Sequence, residues 1–73
     1  MNTIRLKKFG RLAGEARKLG NTALYSEMLD SIDEEIELLK RKHPENFWND
    51  KDPKYMAIVD MWRRDRLMRH ANS

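Results

Sequence analysis

His43 and His70, the hydroxyls of Ser26, Ser31 and Ser73, and the carboxylate run Asp33 to Glu37 are the groups in this chain that could do chemistry. A serine nucleophile needs a base within hydrogen-bond reach and a turn that exposes its hydroxyl. None of these serines sits in a nucleophile-elbow pattern, and none has an evident histidine partner. The two histidines are far apart in sequence and lack the spacing with which two imidazoles on one helix hold a metal. His43 continues an apolar stripe, a place where capping or partial burial suits an imidazole better than ligation or base catalysis. Paired carboxylates do acid–base work only inside a pocket. The run "DEEIE" lies in an unbroken helical pattern without a glycine turn, so it is no calcium loop. A solvated acidic face describes it better. There is no cysteine, hence no disulfide, no thiolate ligand and no thiol nucleophile. These residues imply a chain that is not an enzyme, with no metal and no cofactor.

Arginine supplies the other chemistry. Arg63, Arg64, Arg66 and Arg69 fall within seven residues, beside Trp62 and His70. A guanidinium can fork onto a phosphate, a guanine edge or a carboxylate. Residues 1–20 hold six basic groups and one acid, residues 21–50 three and eight, and residues 51–73 six and three. A basic chain that reads nucleic acid shows an uninterrupted basic face. Here the acidic middle can neutralise both flanks, which favours a protein partner with an acidic or mixed surface. A small DNA-binding regulator using the basic first and third segments is the alternative. The acidic segment could itself engage a basic groove and mimic nucleic acid.

Three amphipathic helices must position these groups, at about residues 3–19, 22–43 and 53–70. In the first, Leu6, Phe9, Leu12, Ala13, Ala16 and Leu19 recur on one side with helical period. Gly20 is suited to the left-handed stop, and Asn21 or Thr22 to the next cap. In the second, Leu24, Tyr25, Met28, Leu29, Ile32, Ile36 and Leu39 form the stripe, and Lys40, Arg41 and Lys42 suit the negative end of the helix dipole. "SIDE", Ser31 to Glu34, has the form of a capping box, but the stripe runs through it, so one continuous helix is expected. Asp52 then caps a third helix that opens on Pro53. So short a connection at Gly20 and Asn21 requires the first two helices to run antiparallel. The fold class is all-α: a small three-helix domain, an antiparallel helical hairpin with a third helix across it.

With 73 residues this is one domain at most. A domain of this size hides only about 60% of the surface its unfolded chain exposes, which raises the expectation of association. Charged residues make up 37% of the chain and no apolar run is long enough to span a bilayer, so a soluble cytoplasmic protein without membrane contact is expected. The first segment is basic and amphipathic, but its pattern continues into the domain and reads as the first helix rather than a leader.

The third segment carries apolar groups around much of its circumference. Tyr55, Ile58, Val59 and Trp62 cluster on one side, Met61 and Met68 flank them, and Met56 and Leu67 lie nearly opposite. A helix of that kind is usually covered on two sides, so a homodimer is expected, with Gly10, Gly14, Tyr55, Met56, Val59 and Met61 in dimer or helix packing. Gly10 and Gly14 are four apart, away from the first helix's apolar side, where a close approach would suit them. Partner binding is assigned to Phe47, Trp48, Trp62, Arg63, Arg64, Arg66 and Arg69, because Trp and Arg are common interface anchors. The expected function is a non-catalytic protein-interaction module that binds and blocks a surface of another protein. Cysteine-free helical proteins this small are frequent among phage-encoded inhibitors and small bacterial regulators.

Overall fold

The computed structural model describes the backbone of residues 2–47 and 51–71, and side chains as far as residue 68. Three helices occupy most of it: α1 (Ile4–Leu19), α2 (Thr22–Lys42) and α3 (Pro53–Ala71). No strand occurs among the described residues. The expected Trp48 site lies outside the described residues, as do the side chains of Arg69 and His70.

Each boundary has a local cause. Asn2 Oδ1 accepts from the Ile4 N–H at 3.1 Å and opens α1. At the other end Gly20 adopts φ 70°, the Gly20 N–H donates to the Arg17 carbonyl, and the Asn21 N–H donates to the Ala16 carbonyl. That pair of bonds is a Schellman motif, in which orphan carbonyls of the last turn are satisfied while the chain reverses. Asn21 Oδ1 then accepts from the Leu24 N–H at 3.1 Å and caps α2. Ser31 lies inside α2, where its hydroxyl donates to the Glu27 carbonyl one turn back, so α2 passes through "SIDE" unbroken. Asp52 Oδ1 accepts from the Lys54 N–H at 3.0 Å, with Pro53 as the first residue of α3.

α1 packs chiefly along α2. The start of α1 lies beside the later part of α2, where Arg5 approaches Glu35 at 3.9 Å. The core is built from Leu6 and Ala13 of α1, Leu29, Ile32, Ile36 and Leu39 of α2, and Tyr55, Val59 and Trp62 of α3, with Phe47 from the connection. Burying a side chain of this kind is worth about 1.5–3 kcal/mol. Leu19, placed by periodicity on the apolar side of α1, is 81% exposed. It is the last residue before the reversal, and the α2 residues just beyond the turn, Thr22 and Ala23, are small and exposed. Their side chains are too short to cover it.

Two polar side-chain links at the core hold α3 to the rest. The Tyr55 hydroxyl donates to the Phe47 carbonyl. The Trp62 indole N–H donates to Asp33 Oδ1 at 2.6 Å. With these in place no buried side-chain nitrogen or oxygen among the described residues lacks a partner, as a small core requires.

Candidate functional site

Of the residues assigned to partner binding, those whose side chains are described divide between the core and the surface. Phe47 and Trp62 are each 8% exposed and belong to the core. Trp62 carries the apolar bulk of a core anchor, and its only polar atom is tied to Asp33. Arg66 reaches back across the same helix pair: its guanidinium donates to Glu37 Oε1 at 2.8 Å and stands 5.4 Å from the centre of the Trp62 ring. Arg63 and Arg64 are exposed. Part of the arginine cluster thus serves to join α3 to the acidic side of α2.

The residues assigned to dimer or helix packing divide similarly. Tyr55 and Val59 are fully buried in this chain's own core, and Met56 and Met61 pack half-buried against it. Gly10 is a point of close approach. A Cβ there would lie 2.7 Å from Ile58 Cδ1 and 2.8 Å from Ile58 Cγ1, so the small face of α1 receives a side chain of α3. Gly14 has nothing within 4 Å of its Cβ position. The large apolar groups that α3 leaves exposed are Leu67 and Met68, at 66% and 65%.

Beyond the Gly10–Ile58 contact, the seam between α1 and α3 is open. On one side of it a groove of about 700 Å³ is lined by Lys7, Lys8 and Arg11 of α1 and Lys54 of α3, together with Ile4, Gly10, Ala57 and Ile58. Four cations and no acid line it. Lys7 Nζ pairs with Asp52 Oδ2 and so fastens α1 to the cap of α3, whereas Lys8, Arg11 and Lys54 form no ion pair among the described residues. Asp52 is the charged group whose environment is most distinctive. The hydrogen bond from Lys7, joined by the backbone N–H groups of Lys54 and Tyr55, holds its carboxyl below the ordinary carboxylate range.

A second groove, of about 580 Å³, is lined by Arg17, Tyr25, Ala57, Asp60, Met61, Arg64, Asp65 and Met68. Its charges are mixed and its apolar groups are Tyr25, Ala57, Met61 and Met68. Ala57 lines both grooves. It is exposed and small, so the two hollows meet across it. The α3 positions that line them (54, 57, 58, 60, 61, 64, 65 and 68) recur at three- and four-residue steps, one continuous face of the helix.

Sequence reasoning missed this seam. Among the described residues assigned to partner binding, Arg64 is the one that lines it. Lys7, Lys8 and Arg11 were legible as a basic stretch, but not as one bank of a hollow with Lys54 opposite. The available signal was the small residue at Ala57 in a helix otherwise rich in large apolar groups, set against the small face at Gly10.

Among the described residues no three His, Asp or Glu side chains converge so as to hold a metal ion, and no helix is long and apolar enough to cross a membrane. Comparison with protein-family models, with curated proteins and with solved structures finds no match to this chain.

Proposed function

We propose that this chain is a non-catalytic protein-interaction module, a small regulator that works by occupying a surface of another protein. One domain spans the chain, an antiparallel α1–α2 hairpin with α3 laid across it. The observation that carries this reading is the seam at Ala57, where two apolar-lined grooves meet beside the narrow α1–α3 contact. Grooves of this kind, with aliphatic, Met and Arg side chains at their margins, suit a partner segment that buries apolar groups while its polar groups meet the rim.

Homodimerisation has less support than the α3 pattern alone suggested. Tyr55, Val59 and Trp62 are covered by α1, α2 and the connection, so one of the two apolar sides of α3 is already used within the chain. Sedimentation equilibrium across a hundredfold concentration range reads the oligomeric state directly.

Nucleic acid is the second reading, favoured by the four cations of the basic groove. Against it stand the exposed acids Glu27, Asp30 and Glu34 on α2 and the engagement of Arg66 by Glu37. Phosphate contacts make log K fall with log[salt] at a slope of about −0.9 per neutralised phosphate, so duplex binding that decays steeply with salt would decide for it.

The general reading is tested by selecting a random displayed-peptide library on the folded chain, with Ala57→Glu as counter-selection. Enriched peptides that bind the native chain and not the variant are the expected result. A library that yields no such peptide would reject the seam as a protein-binding surface.

A further inference from the structure

We propose that the seam between α1 and α3 is the docking site for an acidic amphipathic helix of another protein. This rests on the interaction-module reading and specifies its partner. The two grooves share Ala57 and follow one another along a single face of α3, from Lys54 to Met68, so that one docked helix can span both. At 1.5 Å per residue this is about 20 Å of helix, which matches a docked segment of about four turns. Its apolar groups, Ile4, Ala57, Ile58, Met61 and Met68, give a helix somewhere to place anchors at three- and four-residue spacing. Ile4 is 73% exposed and Met68 65%, so both ends hold apolar surface still in contact with water.

Charge selects the occupant. The Lys54 end carries cations on both banks, Lys7, Lys8 and Arg11 on α1 and Lys54 on α3; Lys7 is paired with Asp52, which leaves Lys8, Arg11 and Lys54 to meet an incoming carboxylate. The Met68 end mixes Arg17 and Arg64 with Asp60 and Asp65. A ligand helix with carboxylates flanking its apolar stripe, concentrated toward the Lys54 end, meets opposite charge on either side. A basic helix meets repulsion there. Rim charges of this kind act mainly on encounter rate and discrimination, with apolar burial supplying the hold.

A second copy of this chain fits less well. The acids exposed on α2 are accompanied by one large apolar group at its surface, Leu38 at 36%, because Leu29, Ile32, Ile36 and Leu39 are consumed by the core. A phosphate backbone would satisfy the cations but leave the apolar lining of the trough unfilled.

The test uses the full chain and three labelled synthetic peptides of about 16 residues, a length that forms about four turns. The first has leucines at i, i+3, i+4 and i+7 with glutamates elsewhere. The second replaces every glutamate by lysine, and the third scrambles the leucine positions of the first. Fluorescence anisotropy should show the first peptide binding at least tenfold more tightly than the other two. Ala57→Glu and the Lys8→Glu/Arg11→Glu double variant should each weaken it at least tenfold with unchanged helical circular dichroism, while Glu34→Gln on α2 should leave it unaltered. Amide shift changes on titration should centre on Ala57 and Ile58. If the lysine peptide binds as well and is also lost in Ala57→Glu, the acidic occupant is wrong and the interaction-module reading survives. If no peptide binds, both fail. Binding of the acidic peptide that persists in Ala57→Glu overturns the trough as its site. Displacement of the acidic peptide by a short DNA duplex, or dimerisation abolished by Ala57→Glu, assigns the trough to nucleic acid or to a second copy and overturns the proposal.

Discussion

Gly10 and Ile58 meet where no side chain larger than hydrogen fits undisturbed: a Cβ at Gly10 would stand 2.7 Å from Ile58 Cδ1. Gly14, one turn along the same helix, faces open space. The two glycines look equivalent in sequence and differ entirely in their surroundings. Glycine inside a helix is less favourable than alanine by about 1 kcal/mol. Gly14→Ala should therefore stabilise the fold by about that amount. Gly10→Ala should gain less, because Ile58 must shift to admit the methyl group. Urea unfolding of both variants checks the order, and in an Ile58→Ala background Gly10→Ala should recover the missing part of the gain, measured relative to Ile58→Ala alone. Equal stabilisation by the two single substitutions would contradict the contact.

Trp62 and Asp33 provide a partly buried counterpart. The indole N–H has its partner in Asp33 Oδ1 at 2.6 Å, and Trp62 is 8% exposed. Removing only the acceptor leaves a buried donor unpaired, which costs about 1–3 kcal/mol. Asp33→Ala should destabilise by that amount in the native chain and by much less in a Trp62→Phe background, where no donor remains to be orphaned. The exposed pair Arg66–Glu37 should behave differently. Glu37→Gln should change stability by no more than about 1 kcal/mol, as for most surface ion pairs. Chemical denaturation of the four variants reads both results.

Gly20 is the position in this chain where conformation demands glycine. Its φ of 70° is the left-handed region, and its N–H and that of Asn21 close the end of α1. Its Cβ position is unobstructed, so any penalty for a side chain is one of backbone conformation. Gly20→Ala should cost about 1 kcal/mol through the left-handed conformation alone. Gly20→Asn should cost less, since asparagine tolerates that region better. Thermal melts of the pair measure the difference.

The helices were legible because their signals are local. Gly20, Asn21 and Asp52 mark the ends by their own backbone chemistry, and the stripes of α1 and α2 repeat often enough to set the buried face. What lay beyond the sequence was the use made of α3. Its apolar groups point in several directions, and periodicity alone cannot say which of them this chain covers itself. The structure gives Tyr55, Val59 and Trp62 to the core, half-covers Met56, Ile58 and Met61, and leaves Leu67 and Met68 in water. Arg66 shows a related limit. A guanidinium on one helix is a candidate ligand group until the carboxylate of a neighbouring helix is placed beside it, as Glu37 is beside Arg66. The seam is non-local in the same way, since Lys8 and Lys54 share a groove only once α3 has crossed α1.

Asp52 should make part of the stability dependent on acid. Its carboxylate caps α3 through the Lys54 N–H and pairs with Lys7 of α1, and the Lys7 contact is the main reason its pKa is lowered in the folded chain. A group with a lowered folded pKa binds fewer protons folded than unfolded, so its contribution is complete above the ordinary carboxylate value and is lost as pH falls through the folded value. Wild type should therefore lose thermal stability between about pH 5 and pH 2 more steeply than Asp52→Asn, whose amide can still cap the helix but does not titrate. Lys7→Met should flatten the same limb while leaving the cap to Lys54 intact, because it removes the main cause of the shift. Circular-dichroism melts across that range, compared as differences from each protein's value at pH 7, isolate the effect from the other carboxylates. Parallel acid limbs for all three proteins would show that the Lys7–Asp52 pair does not couple the start of α3 to α1 in solution.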